Sequence, residues 1–252
     1  MSNNNFCISL THNEARQHNL SHSNVALPQS FQMNQQTIIP EITTDGSHTL
    51  YIPELDEHYH SVKGAISESL HVYVGLGFRH AIAQRQSTAP IRIFEVGFGT
   101  GLNALLTLEA AREAGVCIEY TSIELYPLDW KQAQTLNYTN PSLFKQIHDA
   151  PWDEKVVVTE HFTLHKVHGD ILTTAIPASD VVYFDAFAPE KQPHLWSPLL
   201  FSRIYEVMPP GGIMTTYCAK GVVRRMMQHI GFTVERLQGP PQGKREVLRA
   251  TK

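Results

Sequence analysis

Cysteine is scarce in this chain: Cys7, Cys117 and Cys218 are the only three in 252 residues. They are far apart, odd in number and form no C-x-x-C pair. A disulfide framework is therefore excluded, and the pattern suits a reducing cytoplasm. No apolar run approaches the ~18 residues of a membrane-spanning helix. The start, M-S-N-N-N-F-C-I-S-L, lacks the basic region and apolar core of a secretory signal. Charged residues are only 17% of the chain and the net charge is −4, so the protein as a whole is no general polyanion binder. The charge is unevenly spread, however. Residues 1–60 hold six acids and one arginine, whereas residues 220–252 hold eight Lys/Arg and two acids. A basic end can meet phosphates locally, or it can be an ordinary solvated surface.

Two familiar glycine motifs are also missing. A dinucleotide fingerprint needs glycine at positions 1, 3 and 6, and a phosphate loop needs G-x-x-x-x-G-K-[ST]. Counting from Gly97, both place their last glycine at position 102, which is leucine. What is present is I-R-I-F-E-V-G-F-G-T-G-L-N-A-L-L, residues 91–106. An apolar strand breaks into Gly97, Gly99 and Gly101 and closes as a helix of good formers. Such a turn exposes backbone N–H groups at a helix N-terminus, where an anionic group can sit. The acid-x-G-x-G-x-G order, with Glu95 leading, resembles the cofactor loop of class I S-adenosylmethionine (SAM) methyltransferases. The alternative is a tight turn with no ligand.

Apolar content of 42% over this length supports one large α/β core with room for a small extra unit. Residues 1–36 are polar and lack periodicity, which predicts a flexible tail. His12, His18 and His22 in that tail have no cysteine or carboxylate at metal-ligand spacing, so no metal site is expected. Residues 37–89 read as a small β/helix extension. Strands at 37–39 and 48–52 flank the turn Thr44-Asp45-Gly46-Ser47. A helix over 59–74 would turn Val62, Ile66, Leu70 and Tyr73 to the core, with Glu68 either exposed or leaning toward the ligand pocket.

From residue 90 strands and helices alternate, which implies a mostly parallel sheet. Strands are predicted at 91–96, 118–125, 156–158, 162–167, 180–185 and 213–218, with an antiparallel pair at 232–237 and 246–250. Helices are predicted at 102–111, from Pro127, at 195–208 and at 220–230. Residues 138–155 stay unassigned. Glu124 would end the second strand, where a carboxylate can accept both hydroxyls of a ribose. Asp170 follows the next core strand and would accept from an adenine amino group or cap a helix. Asp185 ends another strand, at the edge where open α/β sheets bind ligands.

The segments taken together resemble one family: the methyltransferases that complete 5-methylaminomethyl-2-thiouridine at the tRNA wobble position. The carriers are Y-H-S-x-x-G-A-x-x-E-S (59–69), E-V-G-F-G-T-G-L-N (95–103) and D-A-F-A-P-x-K-x-P-x-L-W (185–196). T-Y-C-A-K-G (216–221), G-F-x-V-x-R (231–236) and K-R-E (244–246) complete the set. The resemblance implies a Rossmann-like class I domain over 90–252, with seven strands and an antiparallel last one. In many bacteria this domain is fused to an FAD-dependent oxidase. The chain stops at Lys252, so the resemblance implies the methyltransferase part alone, with tRNA and a separate FAD-dependent oxidase as its partners. Gly97, Phe98, Gly99 and Gly101 would hold the methionine part of SAM by their backbones. Glu95 and Asn103 would add polar contacts, Glu95 near the amino group. Asp185 would face the acceptor amine, as a proton acceptor or only to orient it. Phe187 and Trp196 would stack on the base or serve as core. Lys220, Arg224, Arg225, Lys244 and Arg245 would meet tRNA phosphates. Methylation of a small amine, aminopropyl transfer and a non-catalytic tRNA-binding role are the alternatives.

Overall fold

The computed structural model describes residues 37–252, so the tail expected over residues 1–36, with its three histidines, lies outside the described part. The first elements are β1 (Ile39–Ile42), β2 (His48–Ile52) and β3 (Glu57–His58), an antiparallel sheet in that order. The first strand starts two residues later than expected and contains Pro40, which an edge strand tolerates. Asp45 in the turn accepts from Ser47 N–H at 3.0 Å and from Ser67 N–H at 2.9 Å. The hairpin is thereby tied to the start of the next helix.

That helical stretch runs through Ala65–Ser69, a π-helical segment Leu70–Arg79, and His80–Gln84. Its buried face differs from the expectation. Tyr73 is buried as expected, but Val62, in the turn before the helix, and Leu70 are each 43% exposed, while Val72, Val74 and Phe78 are buried. The α-helical period does not apply here, because the bonds step to i→i−5; His80 N–H, for example, reaches Gly75 O.

The second sheet has eight strands in the order β10-β11-β9-β8-β4-β5-β7-β6. They are β4 (Ile91–Val96), β5 (Ile118–Glu124), β6 (Lys155–Thr159), β7 (Phe162–His168), β8 (Val181–Phe184), β9 (Ile213–Thr216), β10 (Thr233–Gln238) and β11 (Glu246–Thr251). β9, β8, β4, β5 and β7 pair in parallel, and β11 runs antiparallel to its neighbours β9 and β10. The seven strands implied by the resemblance are joined by an eighth, β6, read from the sequence at 156–158, which folds back antiparallel on β7.

Both faces of this sheet are covered, as the near-continuous apolar strands require. Ile91, Ile93, Tyr120 and Tyr183 pack on one side with Leu102–Ala114 and the π-helical segment. Phe94, Val96, Val182, Phe184 and Met214 pack on the other with Pro198–Val207 and Gly221–Ile230. Leu50, Tyr73 and Phe78 belong to the first of these clusters, so one core spans residues on both sides of position 90.

Three helices depart from the sequence reading. The one expected at Pro127 begins at Trp130, where Asp129 and Gln132 form a reciprocal capping box. Pro141–Asp149 is a helix inside the unassigned stretch, with proline at its first turn. The helix expected from Leu195 starts at Pro198 because Ser197 caps it. The carboxyl ends of β8, β4 and β5 meet where the chain winds in opposite directions from β4. That is the switch point at which open sheets bind ligands.

Candidate active site

The loop after β4 is built by its glycines. Gly97, Gly99 and Gly101 have φ of 92°, 49° and 75°, in the left-handed region that side chains disfavour. Space is as restrictive as conformation. A Cβ at Gly97 would lie 2.9 Å from Asp185 O, and one at Gly99 would lie 3.1 Å from the Tyr59 ring. Gly101 caps the helix Leu102–Ala114, whose first-turn N–H groups have no partner within the helix. The result is a shallow cradle of backbone donors between β4 and β8. Phe98 contributes backbone only; its side chain is 3% exposed and packs edge-on against His148 and Trp152.

Three expected cofactor carboxylates take three different positions. Glu124 sits half-buried at the end of β5; one oxygen accepts from Gly99 N–H and the other from Tyr126 N–H, each at 3.0 Å. It faces the loop, with lone pairs left for a ligand hydroxyl. Asp170 is also half-buried beyond β7, and its Oδ1 accepts from Leu172 N–H at 2.9 Å. That bond closes a local turn, with no helix following for Asp170 to cap, and occupies only one of its oxygens. Glu95 corrects the sequence reading. It is 0% exposed beneath the loop, so its carboxyl does not open on the cleft. Ser122 Oγ donates to it at 2.7 Å, and Asn103 and Tyr120 are further polar neighbours that hold its carboxylate form. Burial pushes Glu95 up to about 8, with the Asp185 charge adding to the rise.

Asp185 follows β8 directly and collects the densest polar contacts. Tyr73 OH donates to Oδ1 at 2.6 Å and Asn103 Nδ2 donates to Oδ2 at 2.7 Å. Burial raises the carboxyl to about 7, against the pull of those two donors; the Glu68 charge raises it further. Around it, Tyr217 OH donates to Ala186 O at 2.9 Å, and the rings of Tyr59 and Phe187 meet edge-on at 5.3 Å. Glu68, 5% exposed, accepts from Ser61 N–H at 2.9 Å and from Lys244 Nζ at 3.1 Å. The arrangement is a carboxylate near its ionisation point, aimed by two neutral donors beside a cradle for a polar ligand. Such a group can hold, orient and deprotonate an amine.

Comparison with known proteins fits this geometry. Residues 130–252 match a family model described as S-adenosyl-L-methionine-dependent methyltransferase. The crystal structure of MnmC2 from Aquifex aeolicus superimposes with a TM-score of 0.72 at 26% identity, covering 87% of this chain and 71% of that one. This chain belongs to the S-adenosyl-L-methionine-dependent methyltransferases. The tRNA 5-methylaminomethyl-2-thiouridine biosynthesis bifunctional protein MnmC of Cupriavidus necator is 34% identical over 211 residues, 75% of this chain and 31% of that protein. The protein of that name from Burkholderia multivorans is 32% identical over 224 residues, 79% of this chain and 33% of its own length. The methyltransferase thus spans about a third of the length of the curated relatives it matches.

The cradle of this methyltransferase suits its cofactor: the glycines leave room that any Cβ would fill, and Glu124 stands beside them. Other expected residues are placed differently. Trp196 is 8% exposed, donates its Nε1 to Phe187 O at 2.8 Å and packs on Phe184 and Tyr217, so it supports the loop and offers no free stacking face. Phe187 is half-buried over the cleft. Lys220 pairs with Glu190, and Lys244 with Glu68. Arg224, Arg225 and Arg245 form no ion pair among the described residues. Tyr59, Tyr73 and Tyr217 went unassigned in the sequence reading. Tyr59 and Tyr217 lie inside the matching motifs, which was the available signal, but Tyr73 had only a core periodicity.

Proposed function

We propose that this methyltransferase acts on tRNA, converting 5-aminomethyl-2-thiouridine at the wobble position to 5-methylaminomethyl-2-thiouridine. The carrying observation is Asp185, held by Tyr73 and Asn103 at the carboxyl end of β8 and touching the glycine cradle through its backbone. The names of the relatives from C. necator and B. multivorans support the same substrate. SAM supplies a methyl carbon on a sulfonium, which a nitrogen lone pair can attack as the carbon–sulfur bond breaks. The chain's share is positioning and proton handling. Gly97, Gly99 and Gly101 hold the methionine part, with Glu124 at the ribose and Asp170 at the base. Asp185 accepts a hydrogen bond from the acceptor amine and takes its proton. An amine like that of lysine, with a pKa of ~10.4, resists deprotonation at pH 7 by about 4–5 kcal/mol. A carboxylate poised near 7 lowers that barrier more than one near 4, because it is the stronger base.

The proposal extends to partners. A separate FAD-dependent oxidase would supply the amine, and both would work in the cytoplasm; no helix among the described residues is long and apolar enough to cross a membrane. The test is nucleoside mass spectrometry of tRNA from cells lacking this protein. The unmethylated aminomethyl nucleoside accumulates, and purified protein with SAM converts it. Normal SAM binding without transfer to such tRNA would overturn the substrate.

A further inference from the structure

Lys244 is badly placed for a phosphate. Its Nζ lies 3.1 Å from Glu68 Oε1 and 3.9 Å from the centre of the Tyr217 ring. A buried carboxylate together with an aromatic face is the combination that binds a primary alkylammonium, by charge-assisted hydrogen bond and cation–π attraction. Neither wall is accidental. Glu68 is fixed from behind by Ser61 N–H, and Tyr217 is fixed by its bond to Ala186 O, the residue after Asp185. We propose that Glu68 and Tyr217 form an alkylammonium subsite beside Asp185, and that the Lys244 side chain fills it until the substrate's aminomethyl group displaces it. This rests on the amine reading of the site given above.

The chain around Lys244 suits a side chain that swings while its backbone stays. The turn between β10 and β11 closes on Gly239 N–H to Arg245 O at 3.0 Å and Gly243 N–H to Pro240 O at 3.0 Å. A Cβ at Gly239 would fall 1.7 Å from Lys244 O, so the base of the turn is packed against that carbonyl. Beyond it the lysine has a four-carbon stem, and its side chain is 42% exposed while that of Glu68 is 7% exposed. The cation can leave for water; the anion cannot. An empty subsite would strand a buried carboxylate, which costs several kcal/mol. Lys244 removes that cost in the resting protein, and the incoming ammonium takes over the same contacts.

The test uses n-propylammonium as a probe, followed by saturation-transfer NMR on the full chain. Lys244→Ala should bind it at least tenfold more tightly than the parent protein. Adding Glu68→Gln should abolish the gain, and adding Tyr217→Leu should weaken it where Tyr217→Phe does not. Equal binding by Lys244→Ala and the parent would overturn the subsite. Steady-state methylation of aminomethylated tRNA separates the roles of the lysine. A placeholder predicts a lower KM in Lys244→Ala, whereas a phosphate contact predicts a higher KM and would overturn the displacement. Probe binding as expected, with no methylation of that tRNA, would refute the tRNA substrate and leave the subsite standing.

Discussion

Asp185 and Glu95 are two raised carboxyls under one loop, and their effect on stability has a definite sign. Both hold protons more tightly folded than unfolded, Asp185 up to about 7 from 3.8 and Glu95 up to about 8 from 4.5. The folded state therefore binds more protons between those limits, and stability falls as pH rises from about 4 to about 8. Denaturant midpoints of the ligand-free protein should show that fall, and Asp185→Asn with Glu95→Gln should flatten it. Activity runs the other way. In the proposed reaction ionised Asp185 is the acceptor form, so turnover should rise through pH 7, and Asp185→Ala should lose about 10²–10⁴-fold in kcat with SAM affinity kept. Glu95 follows a different logic. Glu95 and Asn103 are hydrogen-bonding neighbours, so Glu95 helps fix the amide that aims Asp185. Glu95→Gln keeps a donor and should retain most activity, whereas Glu95→Ala should not. Equal loss in both would show that the negative charge matters. The motif made both acids visible in the sequence. Which side of β4 Glu95 faces is a matter of register, and only the folded sheet decides that.

The π-helical segment does for the elements what Asp185 does for the residues: it places one group by close packing. Gly77 presses on the sheet so closely that a Cβ would lie 2.8 Å from the Tyr183 ring and 3.3 Å from Thr215 Oγ1. Alanine would gain about 1 kcal/mol of helix propensity there, but overpacking of this kind costs about 1–3 kcal/mol. The neighbours are a ring carbon and a buried strand residue, neither free to retreat, so the clash wins. Gly77→Ala should lower the unfolding midpoint and, by lifting Tyr73 from Asp185, lower kcat. An unchanged midpoint would show that the segment lies further from the sheet. The core strands β4 and β5 were legible because apolar runs flanked by glycine punctuate them. The buried face of 65–84 was not, because the wider turn breaks the 3.6-residue pattern by which helices are read. Pro141–Asp149 was missed for another reason: its polar surface residues outnumber the two that it buries, Phe144 and Ile147.

Across the whole molecule, the net charge of −4 and a basic last segment pose opposite expectations for the proposed tRNA substrate. Ion pairing decides between the basic residues. Lys220, Arg236, Lys244 and Arg249 already face Glu190, Glu246, Glu68 and Glu235. A paired cation has little charge left to offer a phosphate and must first break its bond. Arg224, Arg225 and Arg245 have no such partner among the described residues, and Arg225 and Arg245 are exposed. Counting lysines and arginines along the sequence could not separate these groups, since the acids that neutralise Lys220 and Lys244 lie 30 and 176 residues away. Each phosphate contact contributes about 0.7–0.9 to the slope of log affinity against log salt concentration. Replacing Arg224, Arg225 and Arg245 together by alanine should therefore flatten the slope for tRNA by about 2–3, with SAM affinity unchanged. Lys220→Ala should change it by less than about 1, because the Glu190 it releases repels the same phosphates that it would have met. Filter binding from low to physiological salt measures both. An unaltered slope in the triple variant would move the nucleic-acid surface away from this end of the chain.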